Sequence, residues 1–157
     1  MIINKTEYRN KIMGCWMGKN IGHALGQPFE WKRKINDVTF YTQDDIPSTS
    51  IDLDIQLLWL RALEDNGVHI TTPILSEYFL SYMTAYASSK INMQAGLMPP
   101  LSSMTNPYRH STGAFARTEI WATTAPGCPQ IAATKAYHDA IIDHGAGKVY
   151  MRLFLLR

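Results

Sequence analysis

The sequence has few cysteines and no long apolar run. Cys15 and Cys128 are the only two cysteines among 157 residues, and they form neither a CxxC motif nor a disulfide framework. There is no stretch of about 18 or more apolar residues and no signal-peptide pattern. We therefore expect a cytoplasmic protein that does not associate with membranes.

Charged residues are also scarce, and neither sign dominates. They make up 18% of the chain, with 15 basic and 13 acidic residues, whereas hydrophobic residues make up 46%. This composition excludes a disordered chain and is typical of one folded domain. The single basic cluster, Lys32-Arg33-Lys34, is too short to indicate a nucleic-acid surface, so we expect no nucleic-acid partner.

Apolar residues recur at helical spacing over most of the chain, and little of it alternates as a strand does. The first predicted helix begins after Asn4 or Thr6, and the second runs from near Asp52 to about Glu64, before Asn66-Gly67. Three more are predicted, from Thr72-Pro73 to about Ala87, over about residues 114–123, and from Cys128-Pro129 onward. Residues 88–112 are predicted to be a long irregular connection, and His144 is placed on the apolar stripe of the last helix.

Four glycines recur at every fourth position of the first predicted helix: Gly14, Gly18, Gly22 and Gly26. Glycine costs about 1 kcal/mol relative to alanine inside a helix. Four in register therefore predict a ridge without side chains, which a neighbouring helix or a ligand could approach closely.

Two carboxylates stand at the predicted start of the second helix, in the stretch STSIDLDIQLL. Ser50 could cap this helix, and Asp52 and Asp54 could interact with the positive end of its dipole. The same hydroxyl and carboxylate oxygens would also suit a hard cation such as Mg²⁺. The segment alone leaves both interpretations open.

Three further positions allow both a structural and a functional interpretation. Glu30, at the end of GQPFE, could be a surface cap or a general acid/base. His144 could interact with a helix C-terminus or contact a ligand. Residues 111–114 (STGA) could be an ordinary helix cap or a cradle of hydroxyls and backbone N–H groups for a phosphate.

Four segments of the chain resemble the ADP-ribosylglycohydrolase family, which includes the dinitrogenase reductase-activating glycohydrolases. They are GCWMGKNIGHALGQPFE, SIDLDIQLLWLRALED, GLMPPLSSMTNPYRHSTGAFARTEIWATTAPGCP and AYHDAIIDHGAGKVY, in family order over about residues 10–150. The resemblance implies an all-α fold, a multi-helix orthogonal bundle. It also implies a hydrolase that cleaves the glycosidic bond of small-molecule or protein-linked ADP-ribose with Mg²⁺, or with Mn²⁺ in its place.

The resemblance also assigns roles to the candidate residues. It implies that Glu30 and Asp52 are catalytic, that Ser50 and Asp52 bind metal, and that Ser111, Thr112, Gly113, Ala114 and His144 bind ADP-ribose. We also expect the regions of Tyr108 and Trp121 to supply an aromatic wall for adenine.

The chain departs from the family pattern at three places, the first being His23, where many members carry an aspartate after glycine. Ile51 stands where the family usually has a metal-binding aspartate, and we expect Asp54 to supply the missing charge, although it points elsewhere around the helix. Family domains are roughly twice this length, and their later Gly-Asp-Thr-Asp motif does not occur after Tyr150.

These departures predict that residues 1–157 form a single partial domain, apparently truncated, with an incomplete metal site. The alternative is an inactive family member that acts at most as an ADP-ribose-binding or structural helical domain. The apolar stretch 149–157 is expected to join two copies as a homodimer.

Overall fold

The computed structural model describes residues 3–35, 37, 50–83 and 87–145, and these residues are helical without any β-strand. The α-helices are α1 (Lys5–Gly26), α2 (Ile51–Asn66), α3 (Thr72–Tyr82), α4 (Ala87–Gln94), α5 (Glu119–Thr123) and α6 (Pro129–Ala140), with 3₁₀ turns at Gln27–Phe29, Leu101–Ser103 and Phe115–Arg117. The all-α prediction is confirmed. Among the described residues, no helix is both long and apolar enough to cross a bilayer.

The chain divides into two compact units, Met1–Ser50 and Ile51–Arg157. In the first unit, α1 begins where the sequence predicts, and the cap is Asn4 rather than Thr6. The Asn4 side chain accepts a hydrogen bond of 3.0 Å from the backbone N–H of Glu7, which satisfies one of the free amides of the first turn. The helix then continues without interruption to Gly26.

No described residue packs closely against the glycine ridge of α1. All four glycines are exposed, and a β-carbon placed on any of them would have no described atom within 4 Å. No residue of α1 is fully buried. The described part of the chain therefore gives the ridge no packing partner, and close approach of a helix or a ligand to it stays a prediction.

We expect Gly18→Ala to stabilise the protein, since alanine is favoured over glycine by about 1 kcal/mol inside a helix. Thermal unfolding followed by circular dichroism would show a small rise in Tm. Gly67→Ala is the opposing control, because Gly67 follows α2 with a φ of 71°, a conformation that disfavours a β-carbon by about 1–2 kcal/mol. A fall in Tm for Gly18→Ala would restore the packing interpretation.

The second unit departs from the sequence prediction between residues 83 and 112. The third helix ends at Tyr82, and a separate helix, α4, occupies the beginning of the predicted irregular connection. The Asn92 side chain donates hydrogen bonds of 2.8 Å to the carbonyl of Ser102 and to the hydroxyl of Thr105. These bonds hold α4 against the following 3₁₀ turn, so this segment is ordered by contacts that are distant in sequence.

The core of the second unit lies between α2, α3, α5 and α6, which pack against one another. Its most buried apolar side chains, each with at most 2% of its surface exposed, include Trp59, Ala62, Leu75, Phe79, Ile120, Trp121 and Ile142. Burial of such side chains is the main stabilising contribution. The apolar stretch 149–157, with its predicted homodimer, lies outside the described residues.

Candidate functional site

Three of the predicted site residues come together in the second unit, although they are far apart in sequence. A β-carbon placed on Gly113 would lie 3.5 Å from Cε1 and Nε2 of His144 and 3.7 Å from Oδ1 of Asp52. The start of α2, the loop 111–114 and the turn after α6 therefore meet at one point. We call this group, Asp52, residues 111–114 and His144, the Gly113 site.

The two carboxylates of α2 have different surroundings. Asp52 is half-buried and belongs to the Gly113 site, whereas Asp54 is exposed. Two residues along an α-helix correspond to a rotation of about 200°, so the side chains leave the helix on nearly opposite sides. Ser50 directly precedes the first residue of α2, the position of an N-cap.

The loop 111–114 is anchored at its C-terminal end. Ala114 is 1% exposed and packs against Ala140 and Ile141, whereas Ser111 and Thr112 are exposed. The N–H of Ala114 donates to Nε2 of His144 at 3.3 Å, and the N–H of Gly113 donates to the Ser111 hydroxyl at 3.4 Å. The Ala114 amide is therefore already engaged within the protein, which leaves fewer backbone donors for a phosphate than the sequence suggests.

His144 lies in the turn after α6 rather than on the helix itself, because α6 ends at Ala140. The His144 side chain is only 4% exposed, and its Nδ1 lies 2.6 Å from Oδ1 of Asp143. Its Nε2 lies 3.2 Å from the hydroxyl of Ser111, in addition to the Ala114 amide. Both ring nitrogens are thus in contact with the protein.

A buried network that sequence reasoning missed lies behind His144. The Nε of Arg117 donates to Asp139 at 2.8 Å, and its Nη1 and Nη2 donate to both oxygens of Asp143 at 3.1 and 2.8 Å. The side chains of Arg117 and Asp139 are each 1% exposed. The spacing of Asp139 and Asp143 was the available signal in the sequence, since residues four apart share a face of a helix, although α6 itself ends at Ala140.

Burial and the charge of Arg117 shift the pKa values of the two aspartates in opposite directions. Burial raises the pKa of Asp139, and the attraction of Arg117 only partly offsets it. Burial would raise the pKa of Asp143 as well, but Arg117 and His144 more than offset it, so that this pKa lies well below its usual range. Asp143 is therefore an ionised acceptor beside His144.

The two aromatic residues expected to contact adenine differ in accessibility. Trp121 has no exposed surface, and its indole N–H donates to Asp139 at 2.9 Å, so the prediction of an aromatic wall is wrong for this residue. Tyr108 is 60% exposed and precedes the loop of the Gly113 site. Its ring is accessible to a ligand.

Glu30 belongs to the first unit, where it follows the 3₁₀ turn Gln27–Phe29. It is exposed, and its backbone N–H donates to the carbonyl of Gln27 at 3.2 Å. Its catalytic role stays a prediction. An open groove of about 370 Å³ between residues 68–71 and one face of α6 contains none of the predicted site residues.

Comparisons with known proteins agree with the resemblance seen in the sequence. A family model described as ADP-ribosylglycohydrolase matches residues 4–152, which is nearly the entire chain. No curated protein and no solved structure gives a match.

Proposed function

Because the chain belongs to the ADP-ribosylglycohydrolase family, we propose that it binds an ADP-ribose conjugate at the Gly113 site and hydrolyses its glycosidic bond. Family membership itself indicates a hydrolase of ADP-ribose conjugates. The observation that carries the proposal is the convergence of Asp52 and His144 on Gly113. It puts an acidic side chain beside a loop of small and hydroxyl residues, as a ribose linked to a diphosphate requires.

Asp52 would contact the ribose of the bound ligand. Its carboxylate can accept hydrogen bonds from ribose hydroxyls, and its negative charge would stabilise the positive charge that develops at the anomeric carbon during glycoside cleavage. The exposed hydroxyls of Ser111 and Thr112 would donate to the diphosphate. The exposed ring of Tyr108 offers a surface for adenine.

Magnesium requires more ligands than the described side chains supply. Mg²⁺ prefers six oxygen ligands and is usually held by one or two carboxylates together with phosphates and water. Asp52 offers one carboxylate, Ile51 cannot ligate, and the described ranges contain no group of three histidine, cysteine, aspartate or glutamate residues suited to a metal ion. The described side chains therefore do not complete a magnesium site, and we assign no step to the ion.

Two measurements test the proposed function and separate it from the binding-only alternative. Calorimetry with ADP-ribose should show binding, and incubation with an ADP-ribosylated arginine peptide or small molecule and Mg²⁺ should release ADP-ribose, detectable by chromatography. Binding without release from either class of substrate would favour a binding or structural domain. The absence of both binding and release would contradict the proposal.

We expect Gly113→Ala to impair binding without destabilising the fold. The added methyl group would make ordinary van der Waals contacts of 3.5–3.7 Å with His144 and Asp52, so the free energy of unfolding should change by no more than about 0.5 kcal/mol. The methyl group would nevertheless occupy the space where a ribose must approach Asp52. Calorimetry should show ADP-ribose affinity reduced at least about tenfold, or by about 1.4 kcal/mol.

Gly14→Ala is the matched control for this variant, because its methyl group would meet no described atom. It should bind ADP-ribose as the unmodified protein does. Equal affinities for Gly113→Ala and Gly14→Ala would show that the ligand does not approach Gly113.

A further inference from the structure

The side chain of His144 connects the buried network to the Gly113 site. Asp143 receives two hydrogen bonds from the guanidinium of Arg117 and lies 2.6 Å from Nδ1 of His144. A planar guanidinium that binds both oxygens of a carboxylate fixes the orientation of that carboxylate and stabilises its negative charge. Arg117 therefore determines where the acceptor of His144 lies.

The contacts of the two ring nitrogens determine which one carries the proton. An ionised carboxylate can only accept hydrogen bonds, so Nδ1 of His144 must donate to Asp143. The backbone N–H of Ala114 can only donate, so Nε2 must accept it. Both contacts are satisfied by the neutral imidazole protonated on Nδ1. In the other tautomer, two donors would face each other at the Ala114 amide and two acceptors would face each other at Asp143.

We infer that Asp143, oriented by Arg117, is a positioning residue that fixes the tautomer of His144 and thereby the shape of the loop 111–114. His144 then acts mainly beneath the loop: its Nε2 holds the Ala114 amide and contacts the Ser111 hydroxyl. This differs from the direct contact with ADP-ribose that the resemblance implies for His144. The consequence for ligand affinity rests on the proposed function, whereas the tautomer does not.

Nuclear magnetic resonance of the ¹⁵N-labelled protein tests the tautomer directly. Spectra that correlate ring protons with both ring nitrogens, recorded at about pH 8 where an ordinary imidazole is neutral, should show His144 protonated on Nδ1. The signals are assigned by their loss in His144→Gln. A His144 ring protonated on Nε2 in the unmodified protein would overturn the inference, and this measurement does not depend on the folding of any variant at Asp143.

Asp143→Asn and Asp139→Asn form a matched pair of variants. Each removes one carboxylate charge from Arg117, but only Asp143 contacts His144. The amide introduced by Asp143→Asn can donate to Nδ1, so we expect the Nε2-protonated tautomer to gain population in that variant and to remain unpopulated in Asp139→Asn. An unchanged tautomer in a folded Asp143→Asn protein would contradict the inference.

Affinity for ADP-ribose supplies the functional measurement. Loss of the Nε2 acceptor would leave the buried Ala114 amide without its partner, so calorimetry should show about tenfold weaker binding for Asp143→Asn and little change for Asp139→Asn. Equal weakening in both variants would mean that general destabilisation is responsible and would overturn the positioning role. If the unmodified protein shows the expected tautomer but binds no ADP-ribose, the proposed function fails while the connection from Arg117 to the loop stands.

Discussion

Replacing Arg117 with methionine should lower the free energy of unfolding by about 3–5 kcal/mol, the usual cost of removing one partner from a buried ion pair. Arg117 is the shared cation of Asp139 and Asp143, at 2.8 Å from each. Methionine fills much of the same volume but supplies no charge and no donor. Two carboxylates would then face each other in the protein interior, and at least one would have to take up a proton on folding.

Urea denaturation at neutral pH measures this loss, with Arg61→Met as the matched control. Arg61 forms an ion pair of 2.9 Å with Asp65, but the two side chains are 63% and 36% exposed. Exposed pairs of this kind contribute about 0.2–1 kcal/mol. Similar small losses for both variants would show that the Arg117 network carries little of the stability.

Much of the helical framework is predictable because its signals are local. Proline at the first turn of α3 and of α6 marks two helix starts, and Asn4 caps α1. These residues act on their own turn of backbone, so no knowledge of the distant chain is needed. Helix α4, in the predicted irregular connection, was missed because it is stabilised by contacts of Asn92 with residues that follow it.

The Gly113 site was only partly predictable. The resemblance indicated Asp52, the loop and His144, and the structure brings these three together. Which face of α2 turns toward the loop depends on the register of the core, set by buried residues such as Trp59. The buried position of Arg117 was not foreseen, because a charged residue is normally expected at the surface, and only the folded chain brings Asp139 and Asp143 to it.

Replacing Asp52 with asparagine should reduce hydrolysis of an ADP-ribose conjugate at least about a hundredfold, as expected when a charge that stabilises a transition state is lost. Asparagine keeps the shape of the side chain and removes only its charge, and residue 52 lies in the first turn of α2 rather than at its N-cap. Stability should therefore change by no more than about 1 kcal/mol, the scale of the interaction with the helix dipole. Initial rates with Mg²⁺, measured beside urea denaturation, separate the two effects.

Asp54→Asn distinguishes the two interpretations of the tandem carboxylates, since Asp54 is exposed on another side of α2. We expect it to retain most of the activity, as should Glu64→Gln, which neutralises an exposed carboxylate near the other end of the same helix. Calorimetric titration of ADP-ribose should follow the same order, with binding weakened by Asp52→Asn alone. If Asp52→Asn loses stability but keeps full activity, the carboxylate serves only the helix start; if Asp54→Asn is equally inactive, both carboxylates serve the reaction.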